Sequence, residues 1–311
     1  MKILVSGSTG MVGTAVMDSL LGAGHTVCRL LRPESKVQGQ AAGLPGAHGA
    51  AVRWDPAGNT FDSAAAQGAE AVIHLAGASI GEGRWTETRK RLLRTSRVDA
   101  TRHLVRALAL LVRPPQVFVS ASAMGYYGDR GEEELTEDSV PGTDFLALLS
   151  REWEAEVSRA EEFGARTGVL RFGLILARDG GALARMLLPF RLGLGGRLGS
   201  GQQWMSWLTL EEAVGIIRYA VENAKVSGPV NAVAPNPVRN REFTDILGRV
   251  LHRPTIFPAP AFALRVALGE MADALLLGSQ RLVPRKLQGL GYRFLQPELE
   301  PALDHLLRRP G

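Results

Sequence analysis

The sequence predicts a doubly wound α/β fold, a parallel sheet with helices on both faces and a smaller C-terminal α/β lobe. Three observations predict it. Short apolar runs alternate with longer stretches of helical periodicity. Glycines recur at positions 7, 10 and 13, directly after the first apolar run. A chain of 311 residues, 45% hydrophobic and 22% charged, is long enough and apolar enough to bury a full core.

The apolar runs are Ile3–Ser6, Thr26–Leu31, Ala71–Leu75, Val117–Ser120 and Val169–Phe172. Runs this short and this continuous suit strands covered on both faces. Between them, Val12–Ala23, Trp85–Leu111 and Phe145–Phe163 carry helical periodicity. Beyond about residue 175 the rhythm loosens, and Gly193, Gly195, Gly196, Gly199 and Gly201 crowd one stretch. Leu210–Asn223 then predicts a helix, Val230–Ala234 a strand, and Asn240–Leu251 a helix opened by an asparagine cap. The expected division is a nucleotide-binding domain over residues 1–175, its sheet completed by strands near 169–173 and 229–234. Residues 176–311 form mainly a substrate-side lobe, with a mostly helical tail from about 260.

Composition excludes several classes of function. The single cysteine, Cys28, rules out an intrachain disulfide and a thiolate cluster, and its apolar neighbours suggest a buried strand position. Six scattered histidines show no ligand spacing, so no metal site is expected. An excess of five basic residues, 36 against 31, is spread along the chain and suits small anions better than nucleic acid. No apolar run approaches the ~18 residues of a membrane span, and a strand at Lys2 leaves no room for a signal peptide. The expectation is a cytoplasmic protein without membrane or nucleic-acid partners, a monomer or a homodimer.

Gly7-Ser8-Thr9-Gly10-Met11-Val12-Gly13 joins the first strand to the first helix. Gly7 permits a tight turn, Gly10 lets the backbone approach a pyrophosphate, and Gly13 lets the helix pack closely on the strand. The phosphate charge meets free N–H groups at the helix start. This is the pattern of a dinucleotide-binding unit. The second strand places no carboxylate before Glu34 to receive the adenosine ribose hydroxyls, whereas Arg32 can pair with a 2′-phosphate, so NADP is the expected cofactor. Asp55, before Pro56, either reaches the adenine amino group or caps a turn. Leu75-Ala76-Gly77 ends another strand at the edge where the cofactor should pass.

Chemistry is expected at Ser120-Ala121-Ser122-Ala123-Met124-Gly125-Tyr126-Tyr127-Gly128, where a strand opens into a loop. Ser122 can hold a substrate hydroxyl or carbonyl, and Tyr126 or Tyr127 can relay a proton if a cation lowers its pKa from about 10. Arg191, within Pro189-Phe190-Arg191, is the foremost candidate to bind an anionic small-molecule substrate. Gln202 and Trp204 are candidates for a lid or a sugar-stacking face. The basic run Arg89–Arg97 reads as a solvated helix face, with Arg97 reaching cofactor or substrate as the alternative.

These segments together resemble an extended short-chain dehydrogenase/reductase. Ser6–Gly13, His74–Gly77, Ser120–Gly128 and Leu170-Arg171-Phe172-Gly173 carry the likeness, as do Leu187–Gly196, Gly199–Trp204, Pro235–Asn240 and Gly278–Pro284. Within that superfamily the chain is similar to an atypical epimerase branch with a C-terminal DUF1731 region. The resemblance implies an NADP-binding domain and a substrate lobe, and relatives that epimerise, dehydrate or reduce nucleotide sugars. It also implies a serine at Ser122 and a Tyr-x-x-x-Lys pair one helix later. Here Ala147 stands for the tyrosine and Arg151 for the lysine. Arg151 would still bind the ribose. Alanine moves no proton, so one reading is an NADP-dependent oxidoreductase or epimerase using the neighbouring tyrosines, and the other is a non-catalytic NADP sensor or scaffold.

Overall fold

The computed structural model describes residues 1–32 and 51–307. The chain begins β1 (Lys2–Ser6), α1 (Met11–Gly22), β2 (Thr26–Leu31), β3 (Val52–Asp55), β4 (Thr60–Phe61), α2 (Ser63–Ala66) and β5 (Ala71–His74). Next come α3 (Glu87–Arg94), a π-helical turn (Thr95–Asp99) and α4 (Ala100–Ala109), then β6 (Val117–Ala123) and a short 3-10 turn (Met124–Tyr127). β7 (Glu134–Leu135), α5 (Phe145–Ser158) and β8 (Arg166–Phe172) follow.

Among the described residues eight strands form the main sheet, in the order β12-β8-β6-β5-β1-β2-β3-β4, β12 being Gly228–Ala232. Every pairing is parallel except β3 with β4. Alternation within each strand feeds two cores. Leu4, Cys28, Val72 and Phe118 pack beneath α4 and α5, while Ile3, Val5, Val27, Ile73 and Val119 pack beneath α1 and α7 (Leu210–Glu222). Both faces are therefore covered, as the continuous apolar runs required.

The remaining elements belong mostly to the second lobe, while the helix Arg285–Gly289 packs beside β12. They are β9 (Leu174–Ala177), α6 (Gly181–Arg191), β10 (Trp204–Met205), β11 (Trp207–Thr209), β13 (Val238–Arg239), α8 (Asn240–Leu251), α9 (Ala261–Leu268), α10 (Glu270–Ala272), β14 (Arg281–Leu282), α11 (Arg285–Gly289) and α12 (Leu299–Leu307). Small two-stranded ladders tie them together: β9 with β11, β10 with β13, and β7 with β14. A separate apolar core fills the lobe, with Leu187, Trp207, Phe243 and Leu303 among its members.

Three expectations need correction. The stretch Trp85–Leu111 is not one regular helix, because the π turn divides it. The last central strand is Gly228–Ala232, two residues earlier than its apolar pattern suggested. Asn240 is the first residue of α8 rather than its cap, and its side chain instead accepts from Leu198 N at 2.8 Å. Among the described residues no helix is long and apolar enough to cross a membrane.

Candidate active site

The glycine loop leaves β1 with Gly7 at φ 68°, the left-handed region that favours glycine. Space is as decisive as torsion here. A Cβ on Gly7 would lie 2.7 Å from the Leu75 carbonyl carbon and 2.9 Å from Ala76 N. The glycine loop and Leu75-Ala76-Gly77 therefore form one continuous floor. α1 starts after Gly10 without a side-chain cap, so its first N–H groups face the loop. Ser8 Oγ is buried and has no hydrogen-bond partner among the described residues. An orphaned hydroxyl beside open helix N–H groups fits a phosphate oxygen. Thr9 and Met11 belong to the same turn, and the Met11 side chain meets Gly180, the residue before α6. Thus the far lobe reaches down to the loop.

Arg32 stands exposed one residue beyond β2, and Arg29 Nε, within β2, is buried without a partner among the described residues. Both fit an anion at that strand end. Glu34 lies outside the described residues. Asp55 takes the turn role, its carboxylate accepting from Ala57 N at 2.9 Å.

A directional hydrogen-bond chain stiffens the floor. Thr101 Oγ1 donates to Arg97 O at 2.6 Å, so it accepts from His74 Nε2 at 3.0 Å. The other ring nitrogen, Nδ1, then accepts from Ser6 Oγ at 2.6 Å, and Ser6 Oγ accepts from the amides of Leu75 and Ala76. The network assigns the Nε2–H tautomer. Burial brings the His74 imidazole down to about 3, consistent with a neutral ring.

The hydroxyl cluster stands two strands from β1. Ser122, Arg171 and Asn231 are cross-strand neighbours on β6, β8 and β12, so one row of polar side chains crosses the sheet. Ser122 Oγ donates to Glu154 Oε1 at 2.6 Å, and Arg171 grips both oxygens of the same carboxylate at 2.9 and 2.8 Å. The Arg171 guanidinium stacks on the Tyr126 ring, 3.4 Å from its centroid. Burial alone would weaken the charge of Arg171, but Glu154 and Tyr127 outweigh it and hold the guanidinium protonated beyond its usual range.

The two tyrosines occupy different positions. Tyr127 is fully buried; its hydroxyl donates to Asn231 Oδ1 at 2.6 Å and accepts from Arg171 Nη1 at 2.9 Å. Burial pushes it up to about 12, against the opposing pull of Arg171. Tyr126 is half-buried. Ala147 and Ser150 face inward on α5, but Arg151 projects to solvent. Asp144 caps this helix, accepting from Ala147 N at 2.9 Å.

The other predicted residues lie apart from this row. Arg191 is exposed at the end of α6, and its carbonyl accepts from Arg253 Nε. Gln202 O accepts from Arg239 Nη1 at 2.6 Å. Trp204 is held between Arg239 and Arg281 at 4.6 and 4.8 Å, and its Nε1–H donates to Glu132 at 2.9 Å. The sequence reading missed Glu154 and Asn231 and gave Arg171 no role. Only their shared register assembles them, and no local spacing encodes it.

The chain has extensive likenesses. A family model described as the NAD dependent epimerase/dehydratase family matches residues 3–233, and one described as a domain of unknown function (DUF1731) matches residues 259–306. Epimerase family protein Mb2239 of Mycobacterium bovis is 38% identical over 309 residues, which cover 99% of this chain and 98% of that protein. The crystal structure of human epimerase family protein SDR39U1 (isoform2) with NADPH aligns at a TM-score of 0.84 and 33% identity, over 98% of this chain and 99% of that one. A nucleoside-diphosphate sugar epimerase from Corynebacterium glutamicum aligns at 0.78 and 33%, over 99% of this chain and 58% of its own.

Proposed function

The chain belongs to the NAD dependent epimerase/dehydratase family, and on that premise we propose that it is an NADP-dependent oxidoreductase or epimerase. Its substrate is a small anionic molecule bearing a hydroxyl or carbonyl group, of the nucleotide-sugar class. One observation carries the reading. The glycine loop, with its buried unpaired Ser8 hydroxyl, and Ser122, hydrogen-bonded to Glu154, stand at the same C-terminal edge of one parallel sheet, two strands apart. In doubly wound folds that edge is where ligands bind.

Gly7–Gly13 and Leu75-Ala76-Gly77 form the floor for the dinucleotide, and Arg32 takes the 2′-phosphate. When bound, that cofactor accepts or returns a hydride at its nicotinamide ring. Ser122 holds the substrate oxygen. Because its own proton is directed to Glu154, its lone pairs stay available to a substrate hydroxyl. Glu154, fixed by Arg171, acts as a positioning residue. Tyr126, the accessible tyrosine of the pair and the one stacked more closely on the Arg171 guanidinium, relays the proton. Tyr127, sealed against Asn231 and held near pKa 12, serves as a strut for Arg171 instead. Support for NADP rests on Arg32 and on the human relative crystallised with NADPH.

A second reading has its own observation. With Ala147 and the outward-pointing Arg151 in place of the tyrosine and lysine, a non-catalytic NADP sensor or scaffold is the alternative. Titration calorimetry with NADPH and NADH, on the wild type and Arg32→Ala, tests the cofactor. NADPH should bind more tightly than NADH and lose about 1.5–3 kcal/mol in the variant; failure to bind either nucleotide would sink both readings. Nucleotide-sugar-dependent turnover that falls in Tyr126→Phe would then decide for the enzyme.

A further inference from the structure

Residues 180–210 and 246–269 carry six arginines and not one aspartate or glutamate. The whole chain has 36 basic and 31 acidic side chains, so the charge is locally segregated. The fold brings the two segments together. Leu198 and Ala259 form a parallel bridge; Ala259 N donates to Arg197 O and Gly199 N to Ala259 O, both at 2.9 Å. Arg253 Nε reaches Arg191 O at 2.9 Å, and a Cβ on Gly193 would touch Pro254. The chain leaving α6 and the chain entering α9 therefore run side by side.

The same surface collects exposed apolar groups. Of the fourteen large hydrophobic side chains left exposed among the described residues, seven lie in these two segments, a concentration that marks an interaction surface. Leu188 of α6 and Leu192 at its end are one turn apart, and Leu194 follows; Ile256 and Phe257 belong to the neighbouring segment. Phe262 and Val266, again one turn apart, are 71% and 73% exposed on α9, a helix of eight residues that buries none of them. Such a helix is a ridge, not the wall of a groove. Arg249 and Arg265 have carboxylate partners in Glu300 and Asp273. Arg191, Arg197 and Arg253 are exposed and meet no carboxylate among the described residues; the Arg253 guanidinium donates to the carbonyls of Arg191 and His252.

Charge decides what covers this ridge. A second copy of the chain, docked through a two-fold contact, would set the ridge against itself and bring the unpaired arginines against their own kind. Nucleic acid has the right sign of charge, but its bases stack on aromatic planes, and five of the seven side chains are aliphatic. An acidic protein helix would need a groove to seat it. An anionic bilayer meets every feature: protruding apolar side chains enter the acyl boundary, while guanidinium groups on long stems reach the lipid phosphates. The expectation of no membrane partner rested on spanning length, which a helix lying in the interface plane does not need. We propose that α9 and the paired segments beside it are a docking surface for an anionic lipid bilayer. The assignment goes beyond the catalytic reading and does not depend on it.

The test is flotation of the full chain with vesicles of phosphatidylcholine alone and of equimolar phosphatidylcholine and phosphatidylglycerol, at low and at high salt. The wild type should float with the anionic vesicles and lose partition as salt rises. Phe262→Asp with Val266→Asp, and separately Arg191→Glu with Arg197→Glu, should each weaken that partition about tenfold or more. Leu110→Asp with Val112→Asp makes the same change of charge as the first pair, on exposed side chains outside the ridge, and should float like the wild type. Thermal melts verify folding, and either ridge pair suffices if the other does not fold. A wild type that ignores the anionic vesicles overturns the proposal, as does unchanged partition of a folded ridge pair. An equal loss in the Leu110 and Val112 pair would reduce the effect to net charge and overturn it too. A wild-type dimer split by Phe262→Asp with Val266→Asp, seen by light scattering, would give the face to a second copy instead. Binding of an amphipathic Glu–Leu peptide by a wild type that ignores vesicles would give it to an acidic protein.

Discussion

At the scale of single residues, His74 shows how a polar side chain is built into a core. Its two nitrogens are both used, one as donor to Thr101 and one as acceptor from Ser6, and the Trp54 and Phe118 rings pack beside it. Protonation would set an Nδ1–H donor against the Ser6 hydroxyl, which already directs its proton at Nδ1. With the folded pKa depressed from 6.5 to about 3, the stability contribution is complete above pH 6.5. It is lost as pH falls through that window, because only the unfolded chain takes up the proton. The expected excess slope is at most about 1.4 kcal/mol per pH unit. Urea melts of wild type and His74→Gln at pH 7.5, 6 and 4.5 measure it. The variant should start less stable and lose less on acidification; parallel losses would show that the ring is not neutral in the fold. In the sequence His74 stands as the one polar residue of the apolar run Ala71–Leu75. Its partners Ser6 and Thr101 lie 68 and 27 positions away, so the network itself was not legible.

At the scale of elements, the first βα unit was legible because its constraints are local. Gly7, Gly10 and Gly13 have fixed offsets, and the physics of the turn lies within thirteen residues. Gly13 is the strictest of the three: a Cβ there would lie 2.1 Å from Gly7 O and 2.8 Å from Gly7 C. Those are backbone atoms of the turn itself and can move only by opening it. Gly13→Ala should therefore cost about 1–3 kcal/mol of stability, in line with overpacked core positions, and should weaken dinucleotide binding more than tenfold. Chemical denaturation read beside calorimetry checks both, and an unaltered nucleotide affinity would show that the turn tolerates displacement. The helix Glu87–Ala109 was less legible. Leu93, Val98, Ala100 and Leu104 keep an apolar stripe across the π turn, and a pattern of burial does not register one extra residue in the hydrogen-bond ladder. Tyr126 and Tyr127 posed a related difficulty. Adjacent in sequence, they meet edge to face at 5.2 Å, yet only one reaches solvent, because Leu135, Val233 and Leu282 bury the other and Asn231, a hundred positions on, takes its hydroxyl.

At the scale of the whole molecule, a buried acid on α7 gathers several groups of the C-terminal tail. Glu212, in the first turn of α7, has no exposure; it accepts from Tyr292 Oη at 2.7 Å and from the amides of Leu295 and Gln296 at 2.8 and 3.1 Å. The Tyr292 phenol, raised by burial and then by the hydrogen bond to Glu212, stays a donor. Three donors converge on one carboxylate, the two backbone N–H groups on Oε2 and the phenol on Oε1. A neutral amide keeps an acceptor on one side only: its nitrogen confronts either the backbone N–H groups or the phenol O–H, which must then turn away. α12 then packs on α8, and Leu299 and Leu303 complete the core of the lobe. Releasing Glu212 should therefore loosen the tail and the lobe with it, while the glycine loop at the start of α1 keeps its own contacts. Glu212→Gln is expected to lose about 2–4 kcal/mol of stability and to become cleavable by protease between residues 290 and 298. It should still bind NADPH at temperatures where it remains folded. Limited proteolysis with mass analysis of the fragments, alongside urea melts, measures this. A variant as stable and as protease-resistant as the wild type would mean that packing of α12 against α8, rather than the buried carboxylate, secures the tail.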